Sequence, residues 1–173
     1  MPSQAKEPLA MFRKGRLAAP LVLLVLIFWW AQPAPEPSAS GVPADAEKAR
    51  VLRVIDGDTL ELDDGRRVRL IGIDAPEKEG PYTRAEPYGD TAAEYARKAL
   101  EDQTVWLERD VSDTDRYGRL LRYVYLADGT QVNRWFVAEG LARAAEYPPD
   151  TRDAGLLQRA EQEARQENRG LWQ

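Results

Sequence analysis

Among its 173 residues the chain has no cysteine and no histidine. Without cysteine there is no disulfide framework, no thiolate zinc site and no lipid-modified thiol. That absence is compatible with any redox compartment. Without histidine, imidazole general bases, Ser–His nucleophiles, imidazole metal sites and phosphohistidine intermediates all drop out. Any catalysis must therefore run on carboxylates, guanidiniums, hydroxyls, backbone groups and a hard metal. Positive charge is also in deficit, the net being −5. This argues against a purely electrostatic coat for nucleic acid but not against a local cationic cleft, because local potential governs a bound phosphate.

What is present divides along the chain. Residues 1–16 carry Arg13, Lys14 and Arg16, and the apolar run 17–31 follows directly. This positive flank predicts a cytoplasmic N-terminus with the remainder exported. The run is short for a membrane span and long for a signal core. Trp29 and Trp30 at its distal end suit an interfacial aromatic belt. The best small-residue cleavage candidate, 38–40, lies well beyond it, past prolines. The reading favours an uncleaved single-span anchor in the cell membrane, with secretion after signal cleavage as the alternative. Residues 32–47 are rich in Pro, Ala and Ser and lack periodicity, so they form a semi-extended linker. The folded domain is expected over 48–173.

Within that domain, strand–turn–strand patterns run from Ala49 through Gly57 to Leu62, and the Asp63-Asp64-Gly65 corner leads into a returning third strand, 66–73. A helix is expected over 89–103, with Ala92, Ala93, Ala96, Ala99 and Leu100 on one face and Asp90 or Thr91 near the N-cap. A fourth strand spans 104–110, and a fifth opens at Leu120 and turns at Asp128-Gly129. A second helix is predicted from Asn133 as N-cap to Glu139, with Gly140 beyond its end. A third covers about 153–168, with Leu156, Leu157, Ala160 and Ala164 as its buried stripe. Five short strands with interleaved helices suit an α+β domain, a five-stranded barrel of the OB type with about three helices. The catalytic domain is expected to be monomeric, and no protein partner is inferred.

Carboxylates gather at two strand ends. Asp56 and Asp58 sit two apart after the first strand, and Asp74 and Glu77 flank Ala75-Pro76 at the end of the third. If strands one and three are neighbours, these ends converge, and hard divalent cations take such oxygen ligands. Turn formation competes as an explanation for Asp56 and Asp58, since Asp-Gly is a common corner, and capping competes for Asp74. Arginines form the second set. Arg69 lies in a strand between the inward-pointing Val68 and Leu70, and a partly desolvated guanidinium usually has an anion. Arg116, Arg119 and Arg122 surround a Tyr117-Gly118 turn, where solvated hairpin charge explains Arg116 and Arg122 adequately.

The ordered set IDGDT, VRLIGIDAPE, Tyr88-Gly89, DTDRYGRLLRYVY, VNRWFVAEGLARA and NRGLW resembles the staphylococcal-nuclease-like thermonucleases, over essentially Lys48 to Trp172. That resemblance implies an OB-fold barrel hydrolysing DNA and RNA phosphodiesters with Ca²⁺. Asp58 and Asp74 match the metal-binding carboxylates, and the Ala75 carbonyl stands where the family often has a threonine carbonyl ligand. Glu77 matches the glutamate that positions or deprotonates the attacking water. Arg69 and Arg119 match the phosphate-binding arginines. Arg116 replaces a common lysine beside Tyr117, which is expected to support the nucleotide. Near 145–150, Glu146 aligns with a family tyrosine, leaving Tyr147 beside it as the substrate contact. The competing reading is a non-catalytic OB-fold module that binds nucleic acid or a protein, with stacking aromatics in a cationic groove.

Overall fold

The computed structural model describes residues 41–78 and 84–173. The predicted anchor or signal segment, and most of the linker, lie outside the described residues. Among the described residues no helix is long and apolar enough to cross a membrane.

Among the described residues, seven strands and three α-helices form in the order β1 (Glu47–Asp56), β2 (Thr59–Leu62), β3 (Arg67–Leu70), β4 (Ile73–Asp74), α1 (Gly89–Leu100), β5 (Thr104–Glu108), β6 (Leu120–Tyr125), α2 (Val132–Ala138), β7 (Arg143–Ala144) and α3 (Ala154–Gln166). A 3₁₀ turn, Gly170–Trp172, ends the chain. Strands β1, β2, β3, β6 and β5 close into a barrel in that order, while β4 and β7 make a separate two-stranded ribbon. The OB-type α+β architecture expected from the sequence is the one observed.

Alternation builds the barrel. Val68 and Leu70 are fully buried while Arg67 and Arg69 between them face outward. The interior is filled by Val51, Leu60, Leu62, Val105 and Val124, and the helices add Ala96, Leu100, Phe136 and Leu157. Each large aliphatic side chain so buried contributes roughly 1.5–3 kcal/mol. A satellite cluster of Ile71, Tyr123 and Tyr125 holds Val42, so the chain ahead of β1 is fastened down.

Strands one and three are not neighbours, contrary to the expectation above: β2 lies between them, pairing Leu60 with both Val54 and Val68. The barrel closes instead through a parallel β3–β6 seam, with Val68 opposite Leu120 and Arg69 opposite Leu121. Side-chain alternation cannot reveal which strands pair, since it fixes only the buried face.

Helix ends show further differences. Tyr88, with φ 76°, precedes α1 in place of a side-chain cap from Asp90 or Thr91. Asn133 is not the N-cap of α2 but a fully buried residue inside it. Its amide accepts from Val124 N–H at 2.9 Å and donates to the Ile71 carbonyl at 2.8 Å. A buried amide with these partners cross-links β3's end to β6, a role stronger than capping. Gly140 does close α2: its N–H reaches the Val137 carbonyl, and Leu141 N–H reaches Phe136, a Schellman pair around φ 67°. On α3, Leu157, Ala160 and Ala164 are buried but Leu156 is exposed.

Candidate active site

Asp58 enters the barrel mouth because the β1–β2 turn is tightened by Asp56, whose carboxylate accepts the Asp58 N–H at 3.2 Å. The two acids therefore divide the roles left open by sequence: Asp56 shapes the turn and Asp58 points inward, only 7 % exposed. Its Oδ2 accepts from Ala75 N–H at 2.9 Å and lies 3.1 Å from Arg69 Nη2. Its Oδ1 accepts from the Thr59 hydroxyl at 3.1 Å. Burial pushes the Asp58 carboxyl up to about 7, against the pull of Arg69 and with the help of Asp56.

Arg69 is held by its own strand end. Nη1 donates to the carbonyls of Leu70 at 2.6 Å and Ile73 at 2.8 Å. This fixes the guanidinium plane and leaves Nη2 between Asp58 and Asp74, the latter at 3.3 Å. The β3–β4 bend that permits it turns on Gly72, whose φ is 75°. The exposed Asp74 sits opposite Arg143 in the β4–β7 ribbon.

Glu77 follows on the same segment and is exposed. Its carbonyl accepts the Glu86 N–H at 2.9 Å, tying Glu77 to the residues just ahead of α1. Partial burial raises the Glu77 carboxyl, and the nearby charges of Asp56, Asp74 and Glu86 raise it further, while Arg69 opposes them.

On the other side of the seam, Arg119 is aimed by Asp115, which accepts from Nε at 2.7 Å and from the Arg119 and Tyr117 N–H groups. Burial pushes the Asp115 carboxyl up, but these three donors win and hold it below its usual range. Arg119 Nη1 reaches Thr59 Oγ1 at 3.5 Å, so one hydroxyl links the Asp58 carboxylate to the second arginine. The Tyr117 ring is 67 % exposed, with Arg116 and Arg119 guanidiniums 4.7 and 5.5 Å from its centre.

Arg69, Arg116, Tyr117, Arg119 and Tyr147 line one cleft of about 490 Å³, together with Leu121 and Asp150. None of Asp58, Asp74, Ala75 and Glu77 is in its lining: Asp58 and Asp74 adjoin it through Arg69, and Ala75 donates its N–H to Asp58. Arg122 is not a solvated hairpin charge: it is 7 % exposed and donates to the Asp113 carboxylate at 2.6 Å. Sequence reading also passed over Thr59, Asp115 and Asp150. Asp150 is buried and accepts from the Val111 and Ser112 N–H groups at 3.0 and 2.7 Å, joining the Tyr147 wall to the opposite one. Only Thr59 carried a signal, as the last residue of the DGDT motif.

Asp58 and Asp74 supply oxygens that share one guanidinium nitrogen, and burial of Asp58 favours a cationic partner. Ala75 meets Asp58 through its N–H. Among the described residues there is no group of three or more acidic side chains able to enclose a metal. The paired Asp58 and Asp74 oxygens are of the donor type a hard cation takes.

A closed five-stranded barrel with two guanidiniums and a carboxylate pair at its mouth defines an OB-fold domain with an anion-directed cleft. A family model described as "Staphylococcal nuclease homologue" matches residues 67–173. The chain is 40 % identical over 162 residues to a thermonuclease of Staphylococcus intermedius, covering 92 % of this chain and 96 % of that one. It is 36 % identical to a thermonuclease of Staphylococcus hyicus, with 87 % and 90 % covered. An uncharacterized endonuclease of Escherichia coli O157:H7 is 40 % identical, with 71 % and 75 % covered. The chain belongs to the staphylococcal nuclease family.

Proposed function

We propose that this protein is a nuclease, a hydrolase of nucleic-acid phosphodiester bonds that acts on both DNA and RNA and uses Ca²⁺. The observation that carries the reading is Arg69: one guanidinium touches both Asp58 and Asp74 while lining a cleft with Arg119. Named endonucleases and thermonucleases among its relatives support the activity.

In this reading Asp58, Asp74 and the Ala75 carbonyl would hold the cation, which when bound would neutralise phosphate charge as a Lewis acid. Arg69 presents its Nη2 edge to the scissile phosphate, which competes there with the Asp58 and Asp74 carboxylates. Glu77 accepts a proton from the attacking water, and its raised pKa makes it a better base than an ordinary carboxylate. Arg119, aimed by Asp115, stabilises negative charge that builds on the phosphate oxygens in the transition state. Tyr117 supports the nucleotide by stacking, with Arg116 and Tyr147 flanking it. The basic flank 13–16 and apolar run 17–31 support a single-pass anchor with the nuclease domain outside the cytoplasm.

Digestion of plasmid DNA and of RNA with the purified protein, in Ca²⁺, Mg²⁺ or chelator, tests this. Calcium-dependent cleavage of both substrates is expected. Near-normal cleavage by Arg119→Ala would overturn the assignment of the site, and binding without cleavage would favour the non-catalytic module. Membrane fractionation of the full chain tests the anchor.

A further inference from the structure

Asp74 and Arg143 stand directly opposite each other across the β4–β7 ribbon. Side chains paired in this way have Cβ atoms about 4.5–5.5 Å apart, well within an arginine's reach. Yet the Asp74 carboxylate meets Arg69, at 3.3 Å, and among the described residues no ion pair joins Arg143 to an acid. The Arg143 guanidinium lies instead 5.9 Å from the centre of the Trp172 ring, which Arg165 approaches to 4.0 Å. The indole Nε1–H is buried and meets no acceptor among the described residues, so what the ring offers is its face.

That ring is firmly mounted beside the ribbon. Leu171 N–H donates to the Gly140 carbonyl at 2.9 Å, and Arg169 Nη1 donates to the Ala138 carbonyl at 2.9 Å. A Cβ on Gly140 would stand 2.3 Å from the Arg169 carbonyl oxygen, and one on Gly170 would stand 2.2 Å from that of Gly140. The backbone before β7 and the turn that carries Trp172 are thus interlocked. The ribbon itself has two residues per strand, too few to dictate where its outer side chains lie.

Resting on the reading that Asp74 holds the cation, we infer that Trp172 parks Arg143 away from Asp74 and so keeps that carboxylate open to the metal. Both are positioning residues, acting through Asp74. Released from the ring, the guanidinium folds back across the ribbon, pairs with Asp74 and competes with the cation for the same oxygens.

Calorimetric titration of the full-length chain in detergent with Ca²⁺ alone is the first test. Trp172→Leu should weaken Ca²⁺ binding about fivefold, the strength of a half-exposed ion pair, and adding Arg143→Met should restore the wild-type affinity. A loss that came only from a loosened fold persists in the double variant and overturns the proposal. Denaturant unfolding in chelator is the second test. Arg143→Met and Asp74→Asn should be additive in the otherwise unaltered chain, and coupled about fivefold in the unfolding constant once Trp172→Leu is present. Coupling with Trp172 in place overturns the proposal without any variant of the tryptophan. Absence of Ca²⁺ binding by the wild type counts against the metal reading, and the unfolding cycle then decides alone whether Arg143 is parked.

Discussion

Arg69 Nη2 lies 3.1 Å from Asp58 Oδ2, and both side chains are largely withdrawn from solvent. The guanidinium proposed to grip phosphate is thus also the counter-charge of a buried carboxylate. Arg69→Ala should lower the rate of cleavage by about 10²–10³, equivalent to about 3–4 kcal/mol. It should also destabilise the fold by about 2–3 kcal/mol, because Asp58 is left without its partner. Initial rates together with denaturant unfolding separate the two effects. Arg69→Lys should recover part of the stability and little of the rate, since an ammonium cannot hold both the Leu70 and Ile73 carbonyls in one plane.

The Asp58 carboxyl gives the metal-free protein a pH signature. Its folded pKa is raised to about 7 from 3.8. Between those values the folded state binds a proton that the unfolded state has released, so this group's contribution to stability falls as pH rises from about 4 to about 7. Thermal midpoints of the wild type in chelator should therefore decline over that window relative to Asp58→Asn, which lacks the titration. Affinity for a divalent cation should rise up to about tenfold per pH unit below 7 and flatten above it, because binding expels the proton. Calorimetry in two buffers of different ionisation enthalpy measures the proton released.

Glu77→Gln should cut cleavage by about 10²–10³ while leaving the unfolding midpoint close to wild type, since the side chain is exposed. Among the charges that raise the Glu77 pKa is Glu86. Glu86→Gln should move the acid limb of the activity profile to lower pH, because the base then stays ionised further into acid. A pH–rate profile of both variants checks the direction.

Gly89 opens α1 with its backbone against Glu77. A Cβ there would stand 2.1 Å from the Glu77 carbonyl oxygen. Backbone cannot yield as a flexible side chain can, so Gly89→Ala should destabilise by about 1–3 kcal/mol and reduce cleavage by displacing the Glu77 segment. Substituting Gly65, where the Cβ would be in open space but φ is +84°, should cost stability without reducing the rate of the bound substrate.

Asp150 joins two walls of the cleft lined by Arg69 and Arg119 by accepting two backbone N–H groups. Asp150→Ala should raise KM with kcat changed only a few-fold, and lose about 1–3 kcal/mol of stability from the unpaired donors. Asp150→Asn, which keeps an accepting oxygen, should restore much of both. Steady-state kinetics and thermal unfolding of the pair read this split.

How much of this was legible beforehand differs from residue to residue. Val68 and Leu70 announced a barrel strand through alternation, and Gly65, Gly129 and Gly140 marked turns because the backbone there takes positive φ. Strand partners were not legible: the parallel β3–β6 seam joins segments about fifty residues apart, and no local pattern encodes it. The supporting shell was hidden for the same reason. Asp115, Asn133 and Asp150 look like ordinary turn or cap residues until the barrel shows which N–H groups they face. Arg122 read as surface charge because its hairpin context is polar, yet the Asp113 carboxylate and carbonyl let it be buried.

The parallel seam also has a bearing on when the protein becomes dangerous to nucleic acid. Arg69 belongs to one flank of that junction and Arg119 adjoins the other, while Thr59 bridges them only once the intervening strands are in register. An emerging or partly opened polypeptide holds every reactive group but no assembled pair of grips. Cleavage should thus switch on with ring closure, so a copy whose barrel has not yet closed stays harmless to the nucleic acid beside it.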